Sequence, residues 1–355
     1  MINIYSDPHI GKNLVSHTTQ TSRKRLREFI ALNTCMVVDE FGQDGMNLCA
    51  GDLFDTYQNS EEVLHSVLWA ADRTDYILAG NHDVVNILDR KGTLDIVGTV
   101  FDGKVVPCKF GKPNLRAVSM SMPATEDTPL VVLVPHHSNQ KLFEEALEMA
   151  ESVADAHPGK TAMVAHCNYN NDFVNDDVTL NLTQRHAKKL LKYFDYIFLG
   201  HEHNHRTDLD DRLIVVGSPH PTNFGDISDK FVVSWDGEGS PVRRQTWSKS
   251  KHYLECHWAN LAENITPDHQ WVKLTGEIPP SDIHSLAKFI RDAWKHYEPF
   301  AIKSEVKILS GEASASDFDA HDSVKISQII ENELKGSPDL YEMWRSITDD
   351  SQPTP

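Results

Sequence analysis

Five short segments of this 355-residue chain carry side chains suited to holding cations. They are Asp7-Pro8-His9, Gly51-Asp52-Leu53-Phe54-Asp55, Gly80-Asn81-His82-Asp83, His166, and Gly200-His201-Glu202-His203. Together they supply oxygen and nitrogen donors without a thiolate, a mixture that suits manganese, iron or zinc and argues against a structural zinc site. Two cations sharing one site need a bridging carboxylate and about three further protein ligands each. Asp7, His9 and His203 could hold one, Asn81, His166 and His201 the other, with Asp52 between them. Such a pair is suited to hydrolysis at phosphorus. Each segment alone carries little weight: Asp-x-His is close to noise, Gly-Asn-His-Asp reads equally well as a turn, and Gly-His-x-His is moderately specific. The signal is their order, each after an apolar run. His136 and His137 also follow such a run, Val131–Pro135, and compete with His166 for the middle position.

The elements that must position these residues are short apolar runs at 2–5, 46–50, 76–79, 130–134, 161–165, 196–199, 213–216 and 231–235. Each is bounded by Gly, Pro, Asp or Asn and reads as a buried strand. Helical periodicity lies between them, over 23–41, 61–71, 141–154 and 183–193. This alternation predicts an α/β fold in which strand C-termini converge on one edge. After Trp235 the segment Asp236–Pro241 reads as a turn or short linker. Strands are then expected at 253–258, 271–275 and 302–309, with a helix over 281–296, which together suggest a small α+β domain over 250–310. Residues 311–322, poor in large apolar groups, read as a linker. The tail, 323–355, shows two amphipathic faces, Ile326, Ile329, Ile330 and Leu334, then Leu340, Tyr341 and Trp344. These faces suit a partner surface, or could fold back on the chain's own core.

Composition bounds the function. With 34 basic and 52 acidic residues the chain carries −18, which favours solubility and repels nucleic acid and anionic membranes unless local charge reverses it. Two divalent cations against two carboxylates would make the site itself positive. The five scattered cysteines fit a reducing cytoplasm, no apolar run approaches the roughly 20 residues of a membrane span, and the N-terminus shows no signal peptide. Arg23, Lys24, Arg25 and Arg27 form the densest basic cluster and are candidate DNA contacts, though a solvated helix face accounts for them equally well. Arg243, Arg244, Lys249 and Lys251 form a second cluster.

The ordered segments resemble the calcineurin-like metallophosphoesterases over residues 1 to about 235. Within that superfamily, Gly51–Thr56 and Gly217-Ser218-Pro219, with Pro221 and Phe224, resemble SbcD-type nuclease subunits. The compact length and the run 225–230 resemble the bacteriophage recombination endonuclease subunit. The family spacing selects His166 as the middle ligand. The resemblance implies a four-layer αββα nuclease domain (residues 1–240), a small capping domain, and a C-terminal helical segment that docks on an SbcC-type coiled-coil ATPase. It further implies two manganese ions, a homodimer, and exonuclease and endonuclease action on DNA in recombination, repair and replication. A generic phosphodiesterase acting on small nucleotides is the alternative. His82 is then expected to donate a proton to the leaving oxygen rather than merely to bond a carboxylate, with Asp83 orienting His82 or His9. Two positions depart from the family: Pro8 stands where Trp is common, and Asp55 where archaeal and eukaryotic relatives carry a second histidine.

Overall fold

The computed structural model describes residues 1–12, 15–41, 45–84, 91–120, 128–171 and 180–309. In its core strands, side chains alternate between two apolar environments, so both faces of each sheet are buried. In β1 (Ile2–Tyr5), Ile2 and Ile4 point one way and Tyr5 the other. In β2 (Met46–Cys49), Leu48 and Cys49 divide the same way, and in β3 (Tyr76–Leu78) so do Leu78 and Ile77. This is why the strands read as continuous apolar runs rather than alternating ones.

The strands β4 (Val105–Val106), β5 (Arg116–Ser119), β6 (Leu130–Val134), β7 (Thr161–His166), β8 (Asn168–Tyr169), β9 (Asn181–Leu182) and β10 (Tyr196–Gly200) follow. After them come β11 (Arg206–Asp208), β12 (Leu213–Val215), β13 (Lys230–Trp235) and β14 (Val242–Trp247). They build two six-stranded sheets, ordered β14-β13-β1-β2-β3-β4 and β11-β12-β10-β7-β6-β5. The central neighbours β1, β2 and β3 are parallel, as are β6, β7, β10 and β12. Their carboxyl ends therefore lie along one edge of each sheet.

Ile2, Ile4, Leu48 and Leu78 meet Val131, Leu133, Val164, Phe198 and Ile214 in the core between the sheets. The outer face of the first sheet packs against α1 (Gln20–Phe41), α2 (Glu61–Asp72) and α3 (Thr93–Val100) through Leu26, Ile30, Val67 and Val97. The outer face of the second packs against α4 (Gln140–Asp155) and α5 (Gln184–Leu190) through Phe143, Ala146, Ala150 and Leu190. The order of layers is thus helix, sheet, sheet, helix. Caps fix the helix starts: Ser60, Asn139 and Thr183 each accept a first-turn backbone N–H.

The short strands β4, β5, β8, β9 and β11 escape the sequence reading, and so do two longer elements. Helix α3 carries Ile96, Val97, Thr99 and Val100, β-branched residues that do not favour helix; Asp95 nonetheless caps it by accepting from the Gly92 N–H. Strand β14 has no apolar run because it is an edge strand with Val242 and Arg243 exposed. The Asp236–Pro241 segment is the hairpin turn before it, with Asp236 accepting from the Glu238 and Gly239 amides, both at 2.9 Å.

Further along, β15 (Tyr253–His257), β16 (Trp271–Thr275) and the strand Ala301–Ser304 form a three-stranded parallel sheet, with a helix over Ile283–His296. Residues 1–276 and 283–307 make one compact unit. Within it Trp247 donates to Gln270 (2.8 Å), and the rings of Phe29 and Phe300 lie 5.0 Å apart. Among the described residues, 277–282, 308 and 309 fall in a second unit, in which the Leu309 N–H donates to the Ile278 carbonyl. The tail residues Ile326, Ile329, Ile330, Leu334, Leu340, Tyr341 and Trp344 lie outside the described residues.

Candidate metal centre

Every expected ligand sits at or just past the carboxyl end of a strand. Asp7 and His9 follow β1, Asp52 follows β2, Asn81 follows β3, His166 closes β7, and His201 and His203 follow β10. The loops are laced together. The Asp7 and His9 amides donate to the Gly51 and Asp52 carbonyls (3.0 and 3.2 Å), and the His201 amide donates to Asp7 Oδ2 (2.9 Å). Four of the ligand residues hold left-handed backbone: Asp7 (φ 51°), His9 (48°), Asp52 (50°) and His201 (89°). Such conformations cost about 1 kcal/mol or more each, and persist where the surroundings over-determine them. The motif glycines are there for room. A Cβ on Gly51 would lie 2.1 Å from His166 Nδ1, and one on Gly80 2.1 Å from Asp52 Oδ1.

The seven side chains meet in two groups. Asp7, His9 and His203 bring their ligand atoms within 4.8 Å of one another, as do Asp52, His166 and His201; beside them His9, Asp55 and His82 form a third such cluster. Asn81 Oδ1 joins the second group, 3.0 Å from His166 Nε2 and 2.8 Å from His201 Nδ1. Asp52 Oδ2 lies between the groups, 3.5 Å from His166 Nε2 and 3.8 Å from His9 Nε2.

The donors fit divalent cations. His166 Nδ1 faces the Ala50 carbonyl at 2.8 Å, so it carries the proton, and its Nε2 lone pair is aimed at the Asn81 oxygen. His203 Nδ1 faces Asp226 Oδ2 at 3.2 Å, which leaves its Nε2 against His9 Nε2 at 2.9 Å. Asp7 Oδ1 is buried with no hydrogen-bond partner. Lone pairs turned on one another in a buried site call for positive charge between them. Without a cation the site draws protons instead. Burial opposes a charge on His166, but Asp52 and Asp7 outweigh it and raise the ring to about 9. Burial likewise opposes a charge on Asp52, yet His166, His9 and His82 hold it well below the usual carboxylate range.

Residues 2–205 match the calcineurin-like phosphoesterase family. The chain belongs to that family. No curated protein matches it. The family and the two donor groups make this a phosphoesterase domain with a divalent-metal site.

Around the ligands of this phosphoesterase domain, His82 is exposed and its ring stands edge-on to His9, centroids 4.8 Å apart. Its amide donates to Asp52 Oδ1 (2.9 Å), and its Nδ1–H to the Asp55 carbonyl (2.7 Å), which leaves Nε2 for proton exchange. Asp83 does not orient a histidine ring, as the sequence led us to expect. Its carboxylate accepts from the Leu53, Phe54 and Gly80 amides at 3.2, 3.0 and 3.0 Å, and so braces the loops on either side of the site. Burial and the charge of Asp52 push Asp83 up to about 7. Asp55 pairs with Lys12 (2.7 Å) beside His9. Burial opposes its charge, but His9 and Lys12 lower it to about 2.

Sequence reasoning missed the wall behind His203. Asp226 takes the ring N–H of His203 and also the Thr222 and Asn223 amides. Lys230, fully buried, donates to the His203 carbonyl at 2.8 Å, and burial lowers it to about 8. His220 donates from Nε2 to the Pro8 carbonyl (3.0 Å) and accepts at Nδ1 from Asn33 (3.1 Å); burial holds it down at about 4. Through these residues the stretch 220–230 braces the His203 and Pro8 loops.

The basic cluster is only partly available. Arg25 pairs with Glu298 and donates to the Pro299 carbonyl (3.0 Å), which ties α1 to the strand that follows. Lys24 lies 3.8 Å from Glu28. Lys24 and Arg27 line a 50 Å³ cavity with Ile10 and Gly11, beside the Asp7 loop. The guanidinium Nε of Arg23 is buried without a hydrogen-bond partner. Cys167, beside His166 in sequence, packs into the core under α4 and α5. All five cysteines are unpaired, and among the described residues no helix is long and apolar enough to cross a membrane.

Proposed function

We propose that this phosphoesterase is a manganese-dependent DNA nuclease, the nuclease subunit of an SbcCD-type complex. The observation that carries the phosphodiester reading is the pair of donor groups with Asp52 between them, and the exposed ring of His82 beside His9 and Asp55 at their edge. DNA as substrate is supported by the resemblance of Gly51–Thr56 and Gly217–Pro219 to SbcD-type segments.

In this reading, Asp7, His9 and His203 would hold one cation and Asn81, His166 and His201 the other, with Asp52 as the carboxylate available to both. Bound there, the cations supply Lewis-acid activation of water and neutralise charge on the phosphoryl oxygens. The chain's own residues do the rest. Asp226, Ala50 and Lys230 fix the histidines, Asp83 fixes the loops, and His82 holds a proton at Nε2 for the leaving oxygen. Lys24 and Arg27 flank the substrate path and contact backbone phosphates, so binding weakens with salt. The tail faces at 326–334 and 340–344 dock on the coiled coil of an SbcC-type ATPase, and the subunit acts as a homodimer. The segment 311–355, with 10 acidic and 3 basic residues, is suited to a protein partner rather than to DNA.

The deciding assay is turnover of purified protein with manganese on linear duplex, circular single strands and a cyclic nucleotide, with and without the ATPase. Cleavage of both DNA forms with little action on the cyclic nucleotide supports the nuclease; the reverse preference refutes it. Deleting residues 323–355 is expected to abolish co-purification with the ATPase and to spare cleavage of single strands.

A further inference from the structure

His82 is not alone beside the two donor groups. His136 lies two residues past β6 on the same edge, and its amide donates to the Ala79 carbonyl (2.8 Å), next to the turn that carries Asn81. The ring stands edge-on to that of His166, centroids 6.4 Å apart, within electrostatic reach of Asp52 and His201. It joins neither donor group. Although the residue is 4 % exposed, its ring nitrogens are not sealed from solvent, and no hydrogen bond engages them among the described residues. His137 differs: its Nε2 accepts from the Asn114 amide (2.9 Å) and its Nδ1–H donates to the Pro135 carbonyl (2.8 Å), so both nitrogens are occupied.

An imidazole with unengaged nitrogens beside the donor groups has a donor to offer whatever binds there. On the far side, His82 stands in the same relation to His9. His82 thus stands beside His9, and His136 beside His166. A phosphate group held at the donor groups would present oxygens on the His166 side, and donors fixed in advance are worth more than donors that must reorganise.

We propose that His136 is a substrate-contacting residue, donating a hydrogen bond to a phosphate oxygen on the His166–Asp52 side of the centre. This rests on the phosphodiesterase reading and adds to it a second imidazole whose task is grip rather than proton delivery.

The test is calorimetric binding of inorganic phosphate to the full-length, manganese-loaded protein, with manganese content measured on the same samples. His136→Ala and the space-filling His136→Phe are each expected to weaken phosphate binding about 3- to 10-fold, the worth of one neutral hydrogen bond. His136→Gln, whose amide can donate, is expected to recover most of the loss, and manganese content is expected to stay at the wild-type level in all three. Phosphate affinity within twofold of wild type in both His136→Ala and His136→Phe overturns the assignment. So does a fall in manganese content, which would make the ring a support for the metal, or a wild-type protein that takes up no phosphate. Hydrolysis of bis(4-nitrophenyl) phosphate by the same samples separates the two readings. A wild type that binds phosphate through His136 yet hydrolyses no diester refutes the phosphodiesterase and leaves the phosphate contact standing.

Discussion

His220 gives the sharpest test of how the site is braced. Its ring is fully buried, its Nε2–H holds the Pro8 carbonyl between the ligands Asp7 and His9, and its Nδ1 accepts from Asn33 on α1. Burial lowers it from 6.5 to about 4. Between those values the unfolded chain binds a proton that the folded chain refuses. Stability from this group is therefore full above pH 6.5 and is lost as pH falls towards 4. At about 1.4 kcal/mol per pH unit, the loss amounts to about 3 kcal/mol, a large share of the 5–15 kcal/mol typical of a folded domain. His220→Gln keeps a donor and an acceptor but does not titrate. Urea unfolding of both proteins at intervals from pH 7 to pH 4, with metal removed, should show the wild type losing about 3 kcal/mol more than the variant, mostly below pH 6.5. Parallel pH profiles for the two proteins would refute the reasoning, because every other titrating group is common to both.

Three further expectations concern the centre itself. Gly51→Ala places a Cβ 2.1 Å from His166 Nδ1 and should abolish manganese binding at the second donor group while circular dichroism stays close to wild type. Asp226→Asn removes the anionic partner of His203 Nδ1 and should weaken manganese affinity about 10- to 100-fold, read by titration followed by electron paramagnetic resonance, with little change in phosphate binding at saturating metal. His82→Ala should keep its full manganese content and lose about 10²- to 10⁴-fold in turnover; a matching loss of metal would instead make His82 a support for the ligands.

Much of this arrangement was legible in the residues because strand ends are marked twice, by an apolar run and by the polar triplet that follows. Asp7, Asp52, Asn81 and His201 could be placed on one edge from sequence for that reason. The mixed α/β organisation was legible for the same reason, and the family match covers that stretch. Braces were not legible. Asp226 lies 23 residues from His203, and His220 lies 212 residues from Pro8; no local pattern encodes such pairings. Asp83 misled because its neighbour His82 suggested a partnership, whereas the turn folds its carboxylate onto three backbone amides. Edge strand β14 and helix α3 were missed because one lacks an apolar run and the other is built from residues that favour strands.

Each donor group draws on both sheets. Asp7 and His9 leave the first sheet to meet His203 from the second, and Asp52 leaves the first to meet His166 and His201 from the second. The site therefore works as a rivet driven through one rim of the sandwich. A slip of one sheet past the other would pull both sets apart together, so a substitution in the apolar filling between the sheets, at Ile4 or Phe198 for example, can slacken the rivet without touching it.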